Sequence, residues 1–187
     1  QMVPGLNIEA GVALEMEVER EWLRPNPAML TRVNRRRSEG HRIVFTSDTS
    51  LPAEFIRERL AAYGFWQSGD GLYVSSEQRA TKRTGTLFAR LLATEGVSAR
   101  KVLHIGDDPA RDGRVPKRIG LRTEFVMETR LQGAEARLVR HVGDAQSGLH
   151  RLAGAMRDAR LAAGGATEPR ATEVVAERGE AGVARVR

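Results

Sequence analysis

The sequence contains no cysteine, which excludes disulfide bridges and metal sites built on thiolates. It contains only four histidines, and these are scattered, so a zinc site of nitrogen ligands is not expected. A metal ion bound to this protein would therefore be a hard cation held by oxygen atoms.

The sequence also lacks any apolar run near the roughly 20 residues that cross a bilayer. It shows no basic segment followed by an apolar signal core. We therefore expect a cytoplasmic protein without a membrane partner.

The charge is basic but mixed. Lysine and arginine number 30 against 24 aspartates and glutamates, and the formal net charge is +6. Because most basic residues are interspersed with acidic ones, as in "EREWLR", solvated helix faces explain them better than a polyanion-binding surface. Aromatic residues make up 5%, and no nucleic-acid-binding motif is present, so a nucleic-acid partner is not expected. If one existed, its affinity would depend steeply on salt.

Short apolar runs alternate with helical patterns from residue 41 onward. The runs "RIVF", "LYV", "KVLHI" and "LRTEFV" are typical of strands buried on both faces, and helical segments separate them. This alternation predicts an α/β fold, with one parallel sheet covered by helices. Two further helices are predicted before it, over residues 6–23 and 28–38, and another near residues 148–161.

Polar residues follow these strands directly, where ligands bind in open parallel sheets. A hydroxyl group and a carboxylate follow "RIVF", a lysine stands near the start of the next helix, and three carboxylates follow "VLHI". Such groups suit phosphoryl transfer, with the carboxylates holding Mg²⁺. The candidate residues are Ser47, Asp48, Lys82, Asp107, Asp108 and Asp112.

Each of these residues also has a purely structural interpretation. Ser47 could begin a turn, Lys82 could be a solvated surface lysine, and Asp108 could cap the helix that starts near Pro109. Only their combination points to a phosphate site.

Three segments, "IVFTSD", "SSEQRATKRTG" and "HIGDDPARD", closely resemble motifs two, three and four of the haloacid dehalogenase (HAD) superfamily. With the flanking sequence, the resemblance covers about residues 14–161. This region is similar to HAD-like domains found in bacterial proteins that also carry glycosyltransferase regions. It implies a Rossmann-like sheet and magnesium-dependent hydrolysis of a phosphate monoester through an aspartyl phosphate.

The resemblance also implies roles for the candidate residues. Ser47 and Lys82 would be catalytic, and both would bind phosphate together with Asp48. Asp107 would ligate Mg²⁺, Asp112 would hold the water shell of the ion or support Asp107, and Asp108 would complete the metal set. The substrate would be a small phosphorylated molecule, with a sugar phosphate as one candidate.

The first motif of the family is missing. It is an Asp-x-Asp pair that supplies the nucleophile, and no Asp-x-Asp occurs in this sequence. Its strand lies between the strands ending at Ser47 and Asp107 in the family, so those strands either pair directly here or leave unpaired backbone groups. We expect the sequence to be part of a longer protein and inactive unless an N-terminal segment completes it. The alternative is a non-catalytic module that binds a phosphate ligand or a partner such as a glycosyltransferase domain.

These interpretations divide the chain into four regions. Residues 1–40 would be the helical remnant of a cap region, and residues 41–127 the HAD-like α/β core. Residues 128–163 would form a helical extension, and residues 164–187, which are small, polar and rich in glycine, a disordered tail.

Overall fold

The computed structural model describes residues 8–140 and 147–163, so the predicted tail at 164–187 lies outside the described residues. Within the described ranges the protein is a mixed α/β molecule with parallel strands, which confirms the predicted class. The chain divides into two compact units, Gln1–Val126 and Met127–Arg187. No helix in the described ranges is long and apolar enough to cross a membrane.

Helices and strands alternate along the first unit. The earlier elements are α1 (Ile8–Trp22), α2 (Pro27–Ser38), β1 (Val44–Ser47), α3 (Ala53–Ala62), β2 (Gly71–Val74) and α4 (Ser75–Gln78). The later ones are α5 (Thr86–Glu95), β3 (Leu103–Gly106), α6 (Val115–Ile119) and β4 (Arg122–Phe125). A 3-10 turn (Ala99–Lys101) precedes β3, and a π-helical turn (Pro109–Arg114) precedes α6.

The four strands form two separate parallel pairs. β1 pairs with β2, with Val44 opposite Gly71, and β3 pairs with β4, with Leu103 opposite Arg122. No backbone ladder joins β1 to β3 among the residues that the structure describes. The single continuous sheet that we predicted is therefore replaced by two pairs, and direct pairing of β1 with β3 does not occur.

Helix α5 supplies the core of the first unit. Helical spacing predicts Leu87, Phe88, Leu91 and Leu92 on one side of this helix; the first three are buried and Leu92 is partly buried. Leu87 and Leu91 pack with Tyr73 of β2. The helical pattern of "TKRTGTLFARLLATEG" predicts a start at Thr81, but the helix begins at Thr86, because Gly85, in the left-handed region at φ 87°, stands at its N-cap position. Lys82 consequently lies in the turn before α5 and not in its first turn.

Helix α1 forms where predicted, but its apolar side chains are not buried. Leu14 is 61% exposed and Trp22 is 70% exposed. The amphipathic pattern of α1 therefore does not lead to burial of these side chains.

The second unit contains two helices, α7 (Gly133–Val139) and α8 (Ser147–Ala162). The sequence predicted α8 and missed α7. Glu135 of α7 is buried and pairs with Arg160 of α8, with 2.8 Å between Oε1 and Nε. The Arg160 guanidinium also donates to the carbonyl oxygens of Glu128 and Arg130, at 2.7 and 2.9 Å. Arg160 thus fixes the segment before α7 as well as the pairing of the two helices.

Candidate functional site

The segments that follow β1 and β2 are joined by serine side chains. The Ser75 hydroxyl group accepts a hydrogen bond from the backbone N–H of Thr49 at 2.9 Å and donates one to the Thr49 carbonyl oxygen at 3.0 Å. The Ser76 hydroxyl group donates to the carbonyl oxygen of Leu51 at 2.8 Å. The loop after Ser47 is therefore fixed from the carboxyl end of the neighbouring strand.

Asp48 positions the turn that carries Lys82. Its Oδ1 atom accepts from the backbone N–H of Lys82 at 2.8 Å, and its Oδ2 atom lies 3.4 Å from the backbone nitrogen of Arg83. These bonds link two segments that are 34 positions apart in the sequence. The structure thus brings Asp48 and Lys82 together, and the Asp48 carboxylate accepts its hydrogen bonds from the backbone of this turn.

The ammonium group of Lys82 meets the carboxylate of Asp112. The distance from Nζ to Oδ1 is 2.8 Å, and the two side chains are 15% and 4% exposed. Because an ammonium group can donate three hydrogen bonds, this pairing leaves Lys82 with further donor capacity.

His104 is a third member of this cluster, and the sequence reasoning missed it. Its Nε2 atom lies 2.8 Å from Oδ1 of Asp112, and its ring packs edge-on against Phe88 with 4.8 Å between centroids. Since an ionised carboxylate only accepts, Nε2 must carry the proton. The signal that could have identified it is a histidine inside an otherwise apolar strand, on the same face as Gly106 and two residues before the segment Gly-Asp-Asp.

The electrostatics of the cluster favour an ionised Asp112. Burial raises the pKa of this carboxyl group, but the hydrogen bonds from His104 and Lys82 and the positive charge of Lys82 outweigh the effect of burial and hold the pKa well below its usual range. The backbone N–H of Asp108 adds a bond to Oδ2 at 3.0 Å. Asp112 therefore stays charged at neutral pH and holds both basic side chains in place.

Asp108 caps the π-helical turn. Its Oδ1 atom accepts from the backbone N–H groups of Ala110 and Arg111, at 2.8 and 2.7 Å, and Oδ2 accepts from the Arg111 side chain. The amide of Arg111 is the largest influence that lowers the pKa of Asp108. These contacts are those of a helix cap, the structural role that the sequence offered for Asp108.

Gly106 makes the return of Asp112 possible. A methyl group on Gly106 would overlap the carboxyl carbon of Asp112, since the loop 107–111 folds back and places Asp112 directly against the end of β3. A residue with a side chain would displace the carboxylate from Lys82 and His104.

The three candidate metal ligands do not converge on one point. The described residues hold no group of three His, Asp or Glu side chains arranged for a metal ion. Asp112 is engaged with basic side chains, and Asp108 with the turn that it caps. Asp107 is exposed directly after β3.

An open groove of about 500 Å³ is lined by residues of the π-helical turn, α6 and β4. Its apolar part is formed by Pro109, Gly113 and Phe125, and Arg114 and Lys117 add two cationic side chains. The groove could accept the organic part of an anionic ligand.

No protein-family model matches this chain, and no curated protein sequence matches it.

Proposed function

We propose that this chain carries the phosphate-binding part of a HAD-type phosphohydrolase site on a Rossmann-like core, and that its ligand is a small phosphorylated molecule. One observation carries the proposal: Lys82 is held by Asp48 after β1 and by Asp112 after β3. Lys82 thus joins segments that follow three strands, with its backbone N–H bound to Asp48 and its ammonium group to Asp112. Ligands of parallel α/β folds bind at such strand ends.

Two side chains would bind the phosphoryl group directly. The Lys82 ammonium group would neutralise its charge, and the Ser47 hydroxyl group at the end of β1 would donate to a phosphate oxygen. Asp48, Asp112 and His104 would act indirectly, because each contacts Lys82 or a group that contacts it.

Magnesium would bind at Asp107, with water and phosphate oxygens as the other ligands, since Mg²⁺ is often held by one or two carboxylates and the phosphates of its substrate. The ion would supply charge stabilisation for the phosphoryl oxygens. Asp112 would stay paired with Lys82, and Asp108 would keep the loop in shape.

Turnover would require a nucleophilic aspartate that this sequence does not contain. The glutamates of α1 are poor substitutes because they lie on a helix; Glu15, for example, accepts a hydrogen bond from Ser50 at 3.1 Å. The absence of Asp-x-Asp favours a second candidate function, a non-catalytic module that binds a sugar phosphate or another phosphorylated ligand next to a glycosyltransferase domain. The two candidates share the binding site and differ in turnover.

Calorimetric titration with inorganic phosphate, with and without MgCl₂, tests the shared site. We expect saturable binding that weakens at least about tenfold in Lys82→Met, a loss of about 1.4 kcal/mol or more. Lys101→Met, a change at an exposed lysine in the 3-10 turn, is the matched control. Ser47→Ala provides a second, milder variant. Absence of binding, or equal loss in both lysine variants, would contradict the proposal.

A turnover assay separates the two functions. An upstream strand ending in Asp-x-Asp would be fused to the chain, and hydrolysis of a panel of phosphate monoesters followed with and without Mg²⁺. Magnesium-dependent hydrolysis that is lost in an Asn-x-Asn fusion would support the phosphohydrolase. Phosphate binding without hydrolysis in any fusion would favour the non-catalytic module.

A further inference from the structure

The aromatic side chain of Phe125 is exposed at the carboxyl end of β4. Phe125 is the last residue of this strand, lies opposite Gly106 in the register with β3, and is 37% exposed, whereas Phe55, Phe65 and Phe88 are buried. One exposed ring is ordinary by itself. The position of this one is informative, because ligands of parallel α/β folds bind at the carboxyl ends of the strands.

The ring of Phe125 rests against the backbone of Gly113. A Cβ atom on Gly113 would lie 2.3 Å from Cζ of the ring and 3.1 and 3.3 Å from its two Cε atoms. Gly113 is buried and belongs to the π-helical turn. The ring occupies the space that a side chain at position 113 would fill, and this contact holds it at one place on the surface. Phe125 is thus a fixed apolar surface that solvent can reach.

Phe125, Gly113 and Pro109 form the apolar floor of the open groove of about 500 Å³. Sites for small molecules range from about 300 to 1,000 Å³ and are lined mainly by apolar and aromatic side chains. The groove therefore has the size and the floor that suit a small organic ligand.

Two cationic side chains, Arg114 and Lys117, also line the groove. Three positions separate them across the junction of the π-helical turn and α6, so they lie on neighbouring turns of one helical surface. Both are exposed, and neither forms an ion pair with any residue in the described ranges. Arg111, in contrast, pairs with Asp108 at 3.1 Å. Because neighbouring like charges repel each other, an anion between Arg114 and Lys117 would stabilise both.

The side chains of the groove offer no hydrogen-bond acceptor. The lining residues are Pro109, Gly113, Arg114, Lys117 and Phe125, and none of these side chains carries a carboxylate, an amide or a hydroxyl group. A cation would be repelled there, and a ligand rich in hydroxyl groups would lack acceptors. A flat apolar body suits the Phe125 ring, and an anionic group suits the guanidinium fork of Arg114 beside the Lys117 ammonium group.

We propose that this groove binds a small aromatic anion, with the ring of the ligand against Phe125 and its anionic group between Arg114 and Lys117. A carboxylate and a phosphate both present oxygen atoms that these two cations can bind. Lys82 does not line the groove, so binding here does not depend on the proposed phosphate site.

Titration of the full chain with 2-naphthoate, followed by NMR of the backbone amides, tests the proposal. We expect saturable shifts at the amides of Gly113, Arg114, Lys117 and Phe125. Decahydro-2-naphthoate, which keeps the charge but not the aromatic face, should bind at least about threefold more weakly. 2-Naphthalenemethanol, which keeps the ring but not the charge, should bind at least about tenfold more weakly.

A phosphate form of the ligand distinguishes the groove from the phosphate site. 2-Naphthyl phosphate should shift the same groove amides as 2-naphthoate, because the two cations bind either anionic group. If both naphthyl ligands shift the amide of Lys82 and leave those of Arg114 and Lys117 unchanged, the groove is not their site and the proposal is overturned. Failure of 2-naphthoate to bind would overturn it too, and the phosphate titration of Lys82→Met would still stand as a separate test.

Substitutions test the assigned contacts. Replacing Arg114 and Lys117 together by glutamine should weaken 2-naphthoate binding at least about tenfold, and Phe125→Leu, which keeps an apolar side chain, at least about threefold. Arg118→Gln is the matched control, since Arg118 is exposed in the same helix and does not line the groove; it should change the affinity by less than about twofold. Equal weakening in the control, or unchanged affinity in Phe125→Leu, would overturn the proposal.

Discussion

The ammonium nitrogen of Lys82 and Oδ1 of Asp112 are 2.8 Å apart, although 30 positions separate them in the sequence. Lys82 follows β2 and Asp112 follows β3, so this ion pair joins the segments after the two strand pairs. His104 contacts the same oxygen atom, also at 2.8 Å. One carboxylate thus holds two basic side chains, Lys82 after β2 and His104 within β3.

Asp112→Asn should lower the free energy of unfolding by about 3 kcal/mol, because it removes the charge that compensates a largely buried lysine. The shape of the side chain is preserved, so the effect reports charge and not a cavity. Urea unfolding followed by tryptophan fluorescence measures it. Asp158→Asn, at an exposed position of α8, is the control and should change the free energy by less than about 0.5 kcal/mol. Equal effects in the two variants would contradict the role given to Asp112.

Gly106→Ala should destabilise the protein by about 1–3 kcal/mol, because the added methyl group overlaps the carboxyl group of Asp112. Phosphate affinity should fall with it, since Asp112 positions Lys82. Gly11→Ala is the matched control: Gly11 lies in α1 with open space at its Cβ position, and alanine there should stabilise the helix by up to about 1 kcal/mol. Thermal unfolding of both variants and the parent is the measurement, and a stabilised Gly106→Ala would refute this packing argument.

Asp48→Ala should loosen the turn before α5, because the backbone N–H of Lys82 loses its acceptor. We expect faster hydrogen exchange at that amide and a stability loss of about 1–2 kcal/mol. Asp48→Asn retains one acceptor oxygen and should restore much of the protection. If exchange at the Lys82 amide is the same in all three proteins, Asp48 does not hold the turn.

The pairing of α7 with α8 should depend on pH through Glu135. The hydrogen bonds from Arg160 lower the pKa of Glu135 in the folded state below its usual value of about 4.3. A group whose pKa is depressed by folding contributes stability above its unfolded pKa, and this contribution is lost as the pH falls through the folded value. The α8 amide resonances should therefore show increasing opening as the pH falls below about 4.

Glu135→Gln supplies the control for this titration. It should weaken the α7 and α8 pairing at neutral pH and remove the dependence on pH in that window. An identical pH profile in the parent and the variant would assign the effect to other carboxyl groups.

Local sequence patterns predicted most of the elements but few of the contacts between them. The run Ile43–Phe45 identified β1, and the spacing of Leu87, Phe88, Leu91 and Leu92 identified the inward side of α5, where Leu92 is only partly buried. These signals are local, since they arise from periodicity and chain propensity.

The missed features arise from contacts between distant segments. Nothing near His104 in the sequence indicates that Asp112 folds back onto it, and the later start of α5 depends on a left-handed Gly85 and on Asp48, which binds the preceding turn. The metal assignments and the catalytic roles of Ser47 and Lys82 remain predictions that the experiments above address.

The close approach of Gly106 and Asp112 makes the two positions dependent on each other over evolution. A lineage that keeps the aspartate must also keep glycine at position 106, because every other amino acid carries a side chain. Alanine or serine at position 112 does not fully release position 106, because the Cβ atom of residue 112 lies 2.7 Å from the Cβ atom that position 106 would carry. Related sequences should therefore combine glycine at the first position with aspartate at the second, and larger residues at 106 should mark proteins that have lost the ion pair with Lys82.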